Sequence, residues 1–306
     1  MFALLDILPP PSQGKTSWPW TKESKPLSPT MPNGKPWPKI SIVTPSYNQG
    51  QFLEETIRSV LLQNYPNLEY IIMDGGSTDN SVEIIKKYEP WLTYWVSEKD
   101  NGQADAIYRG FEKATGEIIA WLNSDDFYLP GAISNAIKTL KTKLDRALVV
   151  GSSYHLSQSG VYIRKYYGIS QSFKSLLING MQFCQPACFW KRGKFFELGG
   201  FNRNLKSCFD YDMFLRFRKD GQFAHTLHPT AVFRWHKSSK SSTITNVTQK
   251  EHLYLTSRYG YTDESDYSQI LIKTRRHIKR NAYCGKLADL WLDPKWLLHY
   301  WISYTP

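Results

Sequence analysis

The sequence predicts an α/β fold on a mostly parallel sheet with helices on both faces, plus a helical C-terminal extension. Apolar strand-like and amphipathic helix-like segments alternate with short links from KISIVTP to EIIAWLN, the pattern of right-handed βαβ crossovers. Two of these strands run straight into acidic turns, LEYIIMDGGSTDN at Asp74 and EIIAWLNSDDFYLPG at Asp125 and Asp126. In open parallel sheets the carboxyl ends of strands are where ligands bind. Beyond residue 240 the alternation is lost and the chain reads as helical.

Residues 1–38 are rich in Pro, Ser and Lys, which argues for a tail lying along the surface, pinned by Trp18, Trp20 and Trp37. A domain over 39–240 follows. Its first half, 39–126, runs KISIVTP (strand), FLEETIRSVLLQ (helix), LEYIIMD (strand), DNSVEIIKKY (helix), LTYWVS (strand), GQADAIYRGFEKAT (helix) and EIIAWLN (strand). Asp79 or Asn80 would cap the second helix and Gly116 would end the third. The second half, 127–240, is more mixed. GAISNAIKTLKTK reads as a helix, ALVVGSSYHL and VYIRKYY as a hairpin, FDYDMFLRFRKDG as a helix and TAVFRWH as a strand. The extension, 241–306, holds KTRRHIKR and ends in LADLWLDPKWLLHYWISY.

At 306 residues, 41% hydrophobic and 15% aromatic, the chain can bury a sizeable core and is not a disordered sequence. A net charge of +11 suits an anionic partner: a nucleotide diphosphate, a lipid phosphate, a membrane leaflet or nucleic acid. The four cysteines, 184, 188, 208 and 284, lack C-x-x-C spacing and read as reduced, packed thiols. MFALLDILPPP lacks a basic leader region, and no apolar run reaches the ~18–20 residues of a membrane span. The expected location is therefore cytoplasmic.

The acidic turns carry the chemistry. Carboxylates at strand ends face a cleft, and their hard oxygens suit Mg²⁺ or Mn²⁺ against a diphosphate. Asp125 and Asp126 follow an apolar strand, where two adjacent acids need solvent, a helix to cap or a cation. Asp74 can accept from a nucleoside or simply close an Asx-turn with Gly75, Gly76 and Ser77. Asp210, at the start of FDYDMFLRF, is a candidate general base or only a partner for the helix dipole. His236, ending TAVFRWH, can add an imidazole to a metal site, and Lys237 and Lys240 beside it can meet phosphate. No G-x-x-x-x-G-K-[ST] or G-x-G-x-x-G is present, so ATPase and dinucleotide readings lose their usual support.

The ordered set TPSYNQGQFLEETIRSVLLQNYPNLEYIIMDGGSTDNS, SEKDNGQADAIYRGFEKATGEIIAWLNSDD, QPACFW and FDYDMFLRF resembles the family-2 inverting glycosyltransferases, over roughly residues 39–240. The resemblance implies the GT-A type of Rossmann-like fold, a nucleotide-sugar donor, usually UDP-linked, and Mn²⁺ or Mg²⁺. It places Thr44, Tyr47 and Asp74 at nucleoside-binding positions, and Lys99 and Asp100 along the donor diphosphate and sugar. Asp125 matches the metal-binding acid of the family's D-x-D, with Asp126 beside it, and Asp210 matches the catalytic base. Asn123 stands where many members have the first Asp of D-x-D, which leaves the metal to Asp125 and a partner such as His236. Phe209 stands where Glu often precedes the base.

In the second half Gln185 and Trp190 are candidates for binding the acceptor, a glycan or lipid-linked hydroxyl; for any single aromatic, core packing competes. The basic, aromatic C-terminal segment suits peripheral contact with the inner face of a membrane, or packing on the domain. No nucleic-acid partner is expected, because the most basic run lies outside the α/β region and no binding motif accompanies it.

Overall fold

The computed structural model describes residues 3–260, apart from 170, 222 and 238. KTRRHIKR, the aromatic C-terminal run and Cys284 lie outside the described residues. Among those described, nine strands form a single sheet: β1 (Ile40–Ser46), β2 (Leu68–Asp74), β3 (Tyr94–Ser97), β4 (Ile118–Trp121), β5 (Phe127–Tyr128), β6 (Leu148–Ser157), β7 (Tyr162–Tyr166), β8 (Cys188–Lys191) and β9 (Ala224–Trp235). Their order is β3-β2-β1-β4-β8-β6-β9-β5, with β7 on β6. The four strands of the first half pair in parallel, as the short strand–helix links require. β8 runs antiparallel to both β4 and β6, while β6 and β9 are parallel, so the second half is mixed.

The helices are α1 (Leu4–Ile7), α2 (Gly50–Leu61), α3 (Ser81–Tyr88), α4 (Gln103–Lys113), α5 (Ala132–Thr142), α6 (Phe173–Asn179), α7 (Arg192–Glu197), α8 (Phe209–Asp220), α9 (Lys240–Thr243) and α10 (Thr245–Arg258). Strand alternation sends Ile40, Ile42, Tyr70 and Ile72 to one face, where they pack with α2, α3 and α5. Val43, Ile71 and Met73 go to the other face, with α4 and α8. Both faces are covered, which is why these strands read as nearly unbroken apolar runs. Cys184, Cys188 and Cys208 are free thiols buried in the fold.

Two expected helix boundaries resolve differently. Asp79, not Asn80, makes the bonds at the second helix: its Oδ1 accepts from the Ser81 amide (2.9 Å) and its Oδ2 from the Gly50 amide (2.9 Å). One carboxylate thus ties together the starts of α2 and α3. Gly116 does not end α4, which stops at Lys113 with Ala114 as its cap. Glycine is needed at 116 because a Cβ there would lie 2.7 Å from the Ser41 amide nitrogen.

The tail is held by the interior. Trp18, Trp20 and Trp37 are all buried, and Trp18 Nε1 donates to the Tyr128 carbonyl (2.8 Å). Arg58 of α2 is fully buried and donates to the carbonyls of Pro9 (2.7 Å), Pro19 (2.9 Å) and Trp20 (2.9 Å). It also donates to the Tyr88 hydroxyl (3.1 Å). A buried guanidinium is tolerated only when its donors are used, and here the proline-rich tail supplies the acceptors. Arg58→Ala should cost about 3 kcal/mol or more, since each orphaned carbonyl loses roughly 1 kcal/mol. Urea unfolding and proteolysis of the tail would measure it; a tail as protected as in the wild type would show that Arg58 is not its clamp.

Candidate active site

Register aligns the carboxyl ends of the first three strands, Ser46 opposite Asp74 and Asp74 opposite Ser97, along one rim of the sheet. Asp74 is buried and braces this rim. Its Oδ2 accepts from the amides of Gly76 (3.2 Å) and Ser77 (2.8 Å) and from Ser97 Oγ (2.7 Å), and its Oδ1 accepts from Ser77 Oγ (2.5 Å). The turn-forming role open to it in the sequence is realised. Tyr47 is 60% exposed at the same rim. A Cβ on Gly75 would stand 2.8 Å from Asp100 Oδ2 and 3.4 Å from Tyr47 Cδ2, so the bare glycine lets the two side chains converge. Asp100 Oδ1 accepts from the Gly102 amide (2.7 Å), and Lys99 is exposed in the loop after β3.

Thr44 departs from its expected place. It shares the α2/α3 face with Ile40 and Ile42, is fully buried, and its Oγ1 pairs with the Tyr70 hydroxyl (3.0 Å). Its side chain therefore braces the core rather than the rim.

Beyond β4 the acidic turn folds against the end of β9. His236 Nε2 meets Asp125 Oδ2 at 3.0 Å, with the imidazole buried against the Phe52 ring (centroids 5.1 Å apart). Asp125 keeps partial exposure, 18% of its side chain. A carboxylate oxygen and an imidazole nitrogen side by side, with the carboxylate partly open to the cavity, are a donor set that would fit Mn²⁺ or a similar ion.

Asp126 does not join them. It is fully buried, its Oδ1 accepts from the Arg234 amide (2.9 Å), and Asn123 Nδ2 approaches its Oδ2 (3.4 Å). Burial, then the neighbouring Asp125 charge, push its carboxyl well above the usual range. Successive residues point to opposite sides of the turn, so only Asp125 faces the cleft. Arg234 locks the turn: its guanidinium donates to the Asp125 carbonyl (3.0 Å) and pairs with Glu55 (2.7 Å).

A cavity of about 430 Å³ opens between this turn and the second half, lined among others by Gln103, Asn123, Asp125, Gln185, Asp210 and Lys240. Asp210, in the first turn of α8, is half-buried, and its Oδ1 accepts from the Tyr211 amide (2.7 Å). Burial raises its carboxyl to about 6, against the lowering effects of that amide and of Lys240. Lys240 Nζ donates to Gln103 Oε1 (3.0 Å), and Gln103 Nε2 donates to Asn123 Oδ1 (2.7 Å). This chain of bonds ties α9 to the acidic turn across the cavity. Burial lowers the Lys240 ammonium, opposed by Asp210, so the pair shares one electrostatic environment.

Of the two acceptor candidates, Gln185 lines the cavity and Trp190 does not. Trp190 is fully buried, packed edge-on against Trp121 (5.3 Å), Phe111 (6.0 Å) and Phe214 (6.2 Å). Its place on β8 points it into the α4/α8 core. Phe209 is likewise core, against Phe201 (5.1 Å). Nothing in the sequence marks Gln103 or Arg234: each is a single polar residue beside a stronger candidate, Asp100 for one and His236 for the other. His155 carried no signal beyond a lone histidine in an apolar strand.

The family model described as "Glycosyl transferase family 2" matches residues 41–220. An uncharacterised glycosyltransferase of Rickettsia typhi is 29% identical over 59% of this chain and 58% of its own length. Chondroitin synthase of Escherichia coli is 27% identical over 70% of this chain and 31% of its own. The chain spans about half the length of the curated relatives it matches, 58%, 46% and 44% for three from Rickettsia. Among solved structures, Staphylococcus aureus TarS 1–349 in complex with UDP-GlcNAc superposes with a TM-score of 0.61 at 17% identity, covering 76% of this chain and 70% of that one. A mannosyltransferase from Pyrobaculum calidifontis in complex with GDP-Man and Mn²⁺ gives 0.54 at 18% identity, covering 89% and 80%. At such identities these likenesses establish the mixed α/β GT-A-like fold alone.

Proposed function

The chain belongs to glycosyl transferase family 2, and we propose that it moves a sugar from a nucleotide-diphospho-sugar to an acceptor hydroxyl with inversion at the anomeric carbon. One observation carries this: Asp125 and Asp210 line a single cavity, and His236 Nε2 stands against Asp125 Oδ2 behind its wall. In this reading the rim of Tyr47, Asp74 and Asp100, at the carboxyl ends of β2 and β3, would receive the nucleoside.

In this reading Asp125 and His236 would hold a divalent cation, which when bound would supply positive charge for the departing diphosphate. Asp210 accepts the proton of the acceptor hydroxyl as its oxygen bonds to the anomeric carbon and the bond to the diphosphate breaks. A carboxyl near 6 suits the task, being mostly ionised at neutral pH yet still basic enough to take a proton. The acceptor oxygen enters opposite the leaving group, and no covalent sugar–enzyme intermediate is required. Lys240 and Gln103 hold the acidic turn and α9 at a fixed separation around the substrate. UDP is the expected nucleotide and a glycan or lipid-linked hydroxyl the expected acceptor; the likeness to a chondroitin synthase supports the glycan. The basic C-terminal segment would bring the site to a membrane surface.

Among the described residues no helix is long and apolar enough to cross a membrane. The test of the reading is calorimetric titration with UDP, GDP and ADP, each with and without Mn²⁺. Manganese-dependent binding of one diphosphate is expected, followed by turnover of its sugar conjugates on a glycan panel. No binding of any diphosphate sinks the reading, and binding without turnover on any acceptor favours a non-catalytic nucleotide-sugar binder.

A further inference from the structure

Among the described residues, two of the buried polar atoms without a protein partner belong to side chains that line the cavity, His155 Nε2 and Gln185 Oε1. Both residues are more than nine-tenths buried, 8% and 6% exposed, and both line the cavity that holds Asp210 and Asp125. Each is oriented by its other end. Arg164 Nε donates to His155 Nδ1 (3.3 Å), so Nδ1 carries the lone pair and Nε2 the hydrogen. Gln185 Nε2 donates to the Trp121 carbonyl (2.9 Å), so Oε1 is left as an acceptor. Phe233 packs edge-on against the imidazole (4.7 Å) and Tyr166 lies beside it (6.0 Å), fixing the ring plane. Burial and the Arg164 charge hold this histidine down at about 4, so it stays neutral at working pH.

Buried polar atoms are almost always paired, and an orphan pair in a cavity wall is best explained by a ligand. We propose that His155 Nε2–H and Gln185 Oε1 form a sugar-recognition subsite, a neutral donor and a neutral acceptor that read hydroxyl groups of the ring seated beside Asp210. Hydroxyls both give and accept hydrogen bonds, so they satisfy a donor and an acceptor together. A phosphate or carboxylate does not, because its oxygens would meet the Gln185 carbonyl oxygen without a hydrogen between them. The aromatic flanks supplied by Tyr166 and Phe233 suit the apolar C–H faces of a sugar. A subsite built to hydrogen-bond hydroxyls rejects rings that lack or invert them, because its own buried groups are then left unpaired. This subsite rests on the transfer reading and deepens it, since donor sugar and acceptor sugar present the same chemistry.

The experiment uses the full chain and the variants His155→Phe, His155→Gln and Gln185→Met. In one arm UDP and GDP with Mn²⁺ are compared by calorimetry with UDP-glucose, UDP-GlcNAc and GDP-mannose. In the other, methyl glycosides are added to the diphosphate- and Mn²⁺-loaded protein and followed by saturation-transfer NMR. Diphosphate binding should be the same in all four proteins, which also shows that each is folded. The gain due to the sugar should fall about tenfold in His155→Phe and Gln185→Met, the loss of one buried hydrogen bond. His155→Gln, which keeps an N–H near the Nε2 position, should retain most of it. A gain in the first arm identifies the donor sugar, and in the second the acceptor. The subsite is overturned if diphosphate binds but no sugar adds to it, or if the gain persists in both His155→Phe and Gln185→Met. Failure of the wild type to bind any diphosphate would instead overturn the transfer reading, and the subsite with it.

Discussion

Asp210→Asn is expected to lower sugar transfer by roughly 10²- to 10⁴-fold, the range for loss of a general base, while leaving diphosphate binding nearly intact. The same variant should be more stable than the wild type, but only above a certain pH. The Asp210 carboxyl is raised from 3.8 to about 6 in the fold. The native state therefore binds this proton more tightly than the unfolded chain does. The stability it contributes is fully present below the unfolded value and is lost as pH rises through about 6. At pH 8 the ionised carboxylate opposes folding by at most about 3 kcal/mol, an upper bound because the side chain keeps some solvent contact. Asparagine removes that term, so the gain in Tm should appear at pH 8 and fade toward pH 4. On the kinetic side, kcat/KM of the wild type should fall as pH drops through about 6, because the base must be ionised. A variant that still transfers sugar, or an activity profile flat from pH 5 to 8, would place the base elsewhere.

The place of Asp210 in the cavity wall was legible because it stands at the start of an aromatic-rich helix, in order after the acidic turns. The parallel half of the sheet was legible for a related reason. Burial on both faces leaves near-continuous apolar strands separated by helices with clear periodicity, and LEYIIMD and EIIAWLN have no competing reading. The orientation of single side chains was not legible. Thr44 and Trp190 sit at suggestive positions, yet strand alternation and the side from which each strand enters the sheet send both into the core. That depends on register with strands far away in sequence, β2 for one and β4 and β6 for the other. The short α6, α7 and β8 were also unread, because four to seven residues are too few to show a period. The clamp on the tail was invisible for another reason: nothing in FLEETIRSVLLQ distinguishes a buried arginine from a solvated one.

The acidic turn offers the sharpest contrast between adjacent residues. Asp125→Ala should abolish the manganese-dependent part of diphosphate affinity, about 100-fold or more for removing a charged ligand from a divalent ion, and leave weak metal-free binding in place. His236→Gln should reduce the manganese-dependent part less, roughly tenfold, because a neutral ligand is lost while the carboxylate remains; glutamine also limits the damage to packing against Phe52. Asp126→Asn should leave it unchanged. Its carboxyl is already pushed toward the neutral form by burial, and its oxygens serve the Arg234 amide inside the fold. An asparagine oxygen can accept the same bond, so metal-dependent binding should stay at the wild-type level. The three variants thus separate a site read from two adjacent acids from one built by a single acid and a distant imidazole. If Asp126→Asn proved as damaging to manganese-dependent binding as Asp125→Ala, the turn would have to rearrange on binding, against the clamp that Arg234 and Glu55 place on it. If His236→Gln had no effect at all, the 3.0 Å contact would be a plain hydrogen bond that orients Asp125, and the ion would depend on that carboxylate and the diphosphate alone.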